Sequence, residues 1–276
     1  MHLIETAKRR SEERKATWSA SLAGSISIQG SNAYAFRSRL SINTFSAAAT
    51  SGLMPVEEKC FDLVPTAARG SVLDIGVGGG RTIRPLLQMF RDYTGIDYSE
   101  PLIASAKRTF YNADLHVADA RDLRTDRKFD CIFFSYNGID YVSYEDRAKI
   151  RRWISESLHP QGYFIYSTHN LGYHRAQMWL TKLWVPELFS PRSNVRFLPM
   201  RLVNFWRQAK DLRRLFAYVN DAAVGFRLLT VYVDIRNELE LLGGEGFKVL
   251  ATVGERNQKA GYDADDGWVY IISQAA

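Results

Sequence analysis

Between Ser71 and Thr168 the chain alternates short apolar runs with amphipathic stretches, and no other feature restricts its fold as tightly. The spacing predicts strands over Ser71–Ile75, Tyr93–Asp97, Asp114–Asp119, Phe129–Ser135 and Tyr163–Thr168. A helix is expected between the first two strands, ending near Met89. Another follows Ser99, which reads as an N-cap, with Pro101 in the first turn. A third, Tyr144–Leu158, has Ser143 as its cap, and "HPQG" turns the chain into the fifth strand. The run "FDCIFFS" is apolar without interruption, as a strand covered on both faces of a parallel sheet must be. Strands and helices in this rhythm imply right-handed βαβ units and a doubly wound sheet. Its ligand crevice lies along the carboxyl ends of the strands.

The first strand runs into a glycine cluster, "VLDIGVGGGRTI". Gly76 and Gly78 occupy the first two positions of a dinucleotide-binding turn, but Arg81 stands where the third glycine would be. No Gly-Lys-Ser/Thr follows, so a Walker A loop is absent. Acids close the successive strands on the same edge. Asp74 lies in the first, Asp97 ends the second about 20 residues after the glycines, where a ribose needs an acceptor, and Asp119 ends the third beside Ala120. Ser135, Tyr136, Asn137 and Gly138 follow the fourth strand.

Taken in order, "VLDIGVGGGRT", "GIDYS", "VADARDL", "FDCIFFSYNGIDYV" and "HPQGYFIYSTHN" resemble the successive motifs of class I S-adenosylmethionine-dependent methyltransferases. The resemblance covers about Ser71 to Asn170. It implies an α/β fold with a seven-stranded, mostly parallel sheet whose last strand is antiparallel, and S-adenosylmethionine as cofactor. It further implies that Gly76 and Gly78 admit the cofactor, with Arg81 in the same binding set, and that Asp74 orients its amino group. Asp97 would hold the ribose, and Asp119 and Ala120 would meet the adenine. Ser135, Tyr136 and Asn137 would line the methionine end, where Tyr98, Tyr136 or Tyr141 offers a ring face to the sulfonium.

For the methyl acceptor, two residues near the carboxyl edge are candidate general bases: His169, ending the fifth strand, and Asp140, after the fourth. The turn after the fourth strand lacks the prolines of base-amino methyltransferases, and Cys131 lies within an expected buried strand, unsuited to cytosine chemistry. "STHN" supplies too few acids for a metal, so no metal is expected.

Outside the core, residues 1–54 read as an N-terminal extension that helps to cover the site, and 55–276 as the methyltransferase domain. Leu171–Phe226 interrupts the rhythm, carries three of the six tryptophans and many arginines, and reads as a helical lid inserted before the closing strands. Those strands are expected near Phe247–Val253 and Trp268–Ser273. The net charge of +6 and the basic lid admit RNA or a peripheral membrane contact as alternatives, together with a non-catalytic scaffold. A small molecule or saccharide, methylated on a hydroxyl or an amine, is favoured as substrate. This follows from the resemblance of "NDAAVGFRLLTVYV" to bacterial small-molecule methyltransferases. With two cysteines, no leader-like apolar stretch at the N-terminus and no long apolar span, a cytoplasmic location is expected.

Overall fold

The computed structural model describes residues 32, 35–123, 125–174, 214–219, 228–256, 258, 260–263 and 266–276. Much of the expected lid, 175–213 and 220–227, lies outside them, as does the N-terminal extension up to residue 31.

Two helices, α1 (Arg39–Ala47) and α2 (Pro55–Asp62), precede the alternating core. That core runs β1 (Ser71–Ile75), α3 (Ile83–Met89), β2 (Asp92–Asp97), α4 (Glu100–Thr109), β3 (Asp114–Val117), β4 (Phe129–Phe134), α5 (Tyr144–Ser157) and β5 (Leu158–Asn170). The closing elements are β6 (Phe216–Val219), β7 (Thr230–Val233), α6 (Ile235–Gly244), β8 (Phe247–Gly254) and β9 (Trp268–Ala275). Strands β3, β2, β1, β4 and β5 lie side by side and parallel. Strand β9 pairs antiparallel with β5, and β8 antiparallel with β9. These seven strands make the mostly parallel sheet that the motif order implies.

Alternation along each strand sorts side chains into two core layers. Leu73, Ile132, Phe164 and Ile271 face Ile150 and Ile154 of α5 and Leu242 of α6. Their strand neighbours Val72, Phe133, Ile165 and Ile272 face Phe61 of α2, Leu86 of α3 and Ile103 of α4. Each such fully buried side chain contributes roughly 1.5–3 kcal/mol, so the two layers together fix the sheet between its helices.

Three local expectations are corrected. The described sheet has nine strands rather than seven, because Phe216–Val219, within the expected helical lid, and Thr230–Val233 are both strands, β6 pairing antiparallel with β7 and β7 parallel with β5. Its sequence FAYV alternates buried and half-buried positions, a period of two that suits a strand and not a helix. The "HPQG" segment lies inside β5: Gln161 adopts φ 61°, and the pairing with β4 shifts register between Phe129 and Cys131. Extra residues absorbed in this way make a bulge, so the strand continues through the apparent turn. Ser99 starts α4 without a side-chain cap bond, whereas Ser143 does cap α5, accepting from the Asp146 N–H at 3.1 Å.

Candidate cofactor and acceptor site

The turn after β1 holds its shape through backbone geometry that only glycine adopts cheaply. Gly76 and Gly78 have φ of 73° and 56°. The N–H groups of Gly76 and Val77 donate to Ile96 O at 2.8 and 3.1 Å, tying the turn to the end of β2. The Gly78 N–H donates to Asp97 Oδ2 at 2.9 Å, and the Ser99 N–H to Asp97 Oδ1 at 2.8 Å. Burial raises the Asp97 carboxyl to about 6, against these two bonds, and the nearby Asp119 adds to the rise. Asp119 behaves in the opposite way. Burial alone would raise it, but the Arg121 guanidinium and backbone N–H hold it below the ordinary carboxylate range.

These elements enclose a cavity of about 410 Å³. Gly76–Gly79, Asp97, Asp119 and Ser135 contribute to its walls, and Phe36 and Phe45 come from the N-terminal side. The Phe36 ring meets Tyr98 and Tyr141 edge-on at 6.0 and 5.1 Å. Helix α1 sits directly on the glycine turn: a Cβ on Gly79 would lie 2.0 Å from Phe45 O. Asn32 fastens the segment before it, donating to Tyr141 O and Leu229 O and accepting from the Leu229 N–H, all at 2.8–2.9 Å. Phe36, Phe45 and Asn32 were not legible as site residues, because their segment carries no motif.

Of the residues expected to bind cofactor, Gly76, Gly78, Arg81, Asp97, Tyr98, Asp119, Ala120, Ser135 and Tyr136 come together on this cavity. Arg81 is held by Glu57 through two bonds of 2.5 and 2.7 Å, and its Nη2 lies 3.4 Å from Ser135 Oγ. Asp74 and Asn137 are not among the cavity residues. Asp74 shares a sheet face with Val72, so its carboxylate turns beneath the glycine turn and accepts from Thr82 Oγ1 and Tyr93 OH at 2.5 and 3.0 Å. Desolvation there raises it to about 7, despite those bonds and the nearby Arg81. Asp74 adjoins the cavity through Thr82, its hydrogen-bond partner, which lines it. Asn137 instead lies against the His169 ring, its Nδ2 3.4 Å from Nε2.

Asp140 and His169 do meet, but with different standing. Asp140 is wholly buried, and its Oδ2 accepts from the backbone N–H and Nδ1 of His169, both at 2.7 Å. Its Oδ1 accepts from Thr168 Oγ1 at 2.7 Å and pairs with Arg147. A carboxylate so buried and so occupied leaves no side open to a substrate, which does not suit the expected catalytic base. Behind it, Arg147 also pairs with Glu238 at 2.6 Å, and Glu238 accepts from Tyr166 OH at 2.8 Å. Arg147 and Arg151 were missed, although both lie one turn from Ile150 and Ile154 on the otherwise apolar face of α5.

Residues 72–162 match the family model of a methyltransferase domain. The chain is 26% identical over 126 residues to a dTDP-3-amino-3,4,6-trideoxy-alpha-D-glucopyranose N,N-dimethyltransferase of Streptomyces venezuelae, spanning 45% of this chain and 47% of that protein. It is 28% identical over 129 residues to a dTDP-3-amino-3,6-dideoxy-alpha-D-glucopyranose N,N-dimethyltransferase of Streptomyces fradiae, spanning 46% of this chain and 44% of that protein. The chain thus spans about half the length of the curated relatives it matches. A solved S-adenosylmethionine-dependent methyltransferase from Clostridium acetobutylicum shares the fold over 83% of this chain and 92% of its own, with a TM-score of 0.54 at 13% identity. Residues 72–162 are thus similar to a methyltransferase domain, on a fold shared with S-adenosylmethionine-dependent methyltransferases. The cavity suits S-adenosylmethionine, which such domains bind: glycines permit close backbone approach, Asp97 is a desolvated acceptor, and aromatic rings cover the space between them. Among the described residues, no group of three or more His, Cys, Asp or Glu could hold a metal ion, and no helix is long and apolar enough to cross a membrane.

Proposed function

We propose that the chain moves a methyl group from S-adenosylmethionine to an amine or hydroxyl of a small saccharide-bearing molecule. The observation that carries this reading is the juxtaposition of the two halves of the site. The cavity wall at Ser135 and Tyr136 is continuous in sequence with Asn137, and Asn137 touches His169. The curated relatives act on nucleotide-linked amino sugars, which supports a saccharide acceptor.

When bound, the cofactor supplies an electrophilic methyl group on a sulfonium, open to in-line displacement. Asp97 would accept both ribose hydroxyls, exchanging the Gly78 N–H for ligand donors. Asp119 and Ala120 would border the adenine, and Arg81 with Ser135 the methionine end. His169 would act as the base. Asp140 would accept a hydrogen bond from Nδ1–H, the tautomer that leaves Nε2 as the acceptor end of the neutral ring. Asp140 would position the ring and stabilise the imidazolium, in the manner of an orienting carboxylate behind a catalytic histidine.

Calorimetry with S-adenosylhomocysteine tests the first half: binding to wild type and its loss in Asp97→Ala are expected, and absence of binding to wild type refutes the reading. For the second half, His169→Gln should leave that binding intact while lowering methyl transfer by about 10²–10⁴-fold. Unchanged turnover would remove His169 from the chemistry.

A further inference from the structure

An ion pair stands at the Ser135 end of the cavity with only one of its members on the wall. Among the described residues, four charged side chains line the cavity: Arg81, Asp97, Asp119 and Arg121. Asp119 and Arg121 pair with each other, and the N–H groups of Gly78 and Ser99 hold Asp97 without a counter-charge. Arg81 is paired from behind by Glu57, which is not among the cavity residues and has no exposed surface.

Four donors fill the Glu57 carboxylate. Arg81 Nη1 and Nη2 reach its Oε2 and Oε1 at 2.5 and 2.7 Å. The Met54 N–H donates to Oε2 at 2.7 Å, and Tyr270 OH to Oε1 at 2.8 Å. Glu57 lies in the first turn of α2 and Tyr270 in β9, so helix and sheet together hold the carboxylate behind the guanidinium. Burial disfavours the charged guanidinium, and the bonds and charge of Glu57 more than offset this. A buried pair of this kind is a weak device for stability, because both ions give up hydration. Its place suggests a different use. The Arg81 guanidinium lies 5.8 Å from the Tyr136 ring, and its Nη2 lies 3.4 Å from Ser135 Oγ, at the end of the cavity read above as the methionine end.

The four wall charges cancel one another, and Glu57 makes the whole set negative by one. Asp74, beneath the turn, titrates at about 7 and adds a partial negative charge near neutrality. S-adenosylmethionine carries one positive charge more than S-adenosylhomocysteine, on its sulfonium, and differs from it otherwise by a single methyl group.

We propose that Glu57 sets the preference of the cavity for the methyl donor over the spent cofactor, by cancelling the Arg81 charge that would oppose a sulfonium. The proposal rests on the cofactor reading above and deepens it. Arg81 stays on the wall as a hydrogen-bond donor, but without Glu57 it would be an uncompensated cation at the methionine end. Once the methyl group has left, the ligand no longer carries the charge that the Glu57 carboxylate complements, which favours release of the product. Glu57 acts through Arg81 and so is a specificity-determining residue that does not touch the ligand.

The test is calorimetric titration of the full chain at pH 7.5 with S-adenosylmethionine and with S-adenosylhomocysteine. The quantity read is the dissociation constant of S-adenosylhomocysteine divided by that of S-adenosylmethionine. The two ligands share every other charged group, so lost packing or a displaced Arg81 moves both constants together. A unit charge at roughly 10 Å changes the affinity for a cation by about 2–15-fold, between the effective dielectric of a protein surface and that of water. Glu57→Gln should lower the ratio by that factor, and Arg81→Met should raise it by a similar one. The double variant Glu57→Gln/Arg81→Met, whose pair is neutral as in the wild type, should return it to the wild-type value. A ratio unchanged or raised in Glu57→Gln, unchanged or lowered in Arg81→Met, or still shifted in the double variant overturns the proposal. If Glu57→Gln does not fold, Arg81→Met and the double variant decide it, by the rise in the first and the return in the second. A wild type that binds neither ligand removes the methyl-transfer reading itself. One that binds both, with a ratio that no variant moves, removes only the role of Glu57.

Discussion

The raised carboxyl of Asp97 makes cofactor affinity depend on pH in a window where an ordinary aspartate would give no change. Asp97 titrates at about 6 because it is desolvated at the cavity edge, with Asp119 nearby, and the N–H groups of Ser99 and Gly78 offset only part of that. Holding two ribose hydroxyls requires the ionised form, since a protonated carboxyl has lost acceptor capacity and become a donor. Binding should therefore weaken as pH falls through 6. The ionised fraction drops from about nine-tenths at pH 7 to about one-tenth at pH 5, so the dissociation constant of S-adenosylhomocysteine should rise about tenfold, near 1.4 kcal/mol. A carboxyl at its ordinary value near 3.9 would change the constant by roughly a tenth over the same range. The ligand's own amino and carboxyl groups keep their charges there, so the slope belongs to the protein. Calorimetric titrations at pH 7, 6 and 5 measure it, with Asp97→Asn as the control. That variant should bind about 10–100-fold more weakly at pH 7, the scale of hydrogen bonds to a charged group, and should show no slope. Asp74 also titrates in this region, at about 7, but it lies under the turn, and the control separates the two. A wild-type constant unchanged between pH 7 and 5, or an equal slope in Asp97→Asn, would refute the reasoning.

Other perturbations follow from the same contacts. Asp74 binds its proton more tightly folded than unfolded, so its share of stability is present below about pH 4 and lost as pH rises through about 7. Asp74→Asn should exceed wild type by roughly 2–4 kcal/mol at pH 8 and lose that advantage at pH 4 in urea denaturation, and parallel pH curves would count against it. Gly79→Ala places a Cβ against Phe45 O, so α1 must lift from the glycine turn. Faster proteolytic cutting near α1 and weaker S-adenosylhomocysteine binding are expected, and a variant indistinguishable in both would show that the contact is not maintained in solution. Arg147→Met leaves Asp140 and Glu238 buried without their shared partner and should cost about 3–5 kcal/mol, a loss below about 1 kcal/mol being the contrary outcome.

Strand positions were legible where glycine or a charged residue brackets an apolar run, and β1 begins and ends where the sequence places it. The parity of Asp74 was also available. It lies two residues from Val72 and so shares that residue's sheet face, which packs against α2, α3 and α4. Spacing to the glycines concealed this, because Asp74 stands at a position where the motif expects a ligand contact. The β6 strand was hidden by the tryptophans and arginines around it, which drew attention to helical amphipathicity and away from a four-residue alternation. That residues 1–54 help to cover the site was legible, but not that Phe36 and Phe45 do so, since residues far apart in sequence meet over the turn only after the sheet has formed.

Two acids and two arginines buried behind His169 are hard to justify as a stabilising device. Each ion loses several kcal/mol of hydration, and well-packed apolar residues of similar volume often serve stability as well or better. Their arrangement is directional, however. Glu238 accepts from Arg147, Arg151 and Tyr166, Arg147 reaches on to Asp140, and Asp140 meets both nitrogen donors of His169. Each link fixes the geometry of the next, ending on a ring that cannot rotate without breaking the Nδ1 bond. Arg147 is held against the Asp140 carboxylate from the other side by Glu238. On the proposed reading, that keeps one tautomer of His169 in place, with Nε2 toward the acceptor. Such a cluster gives up hydration energy for orientation, which a methyl transfer demands, since most of its rate comes from holding nucleophile and methyl group in line.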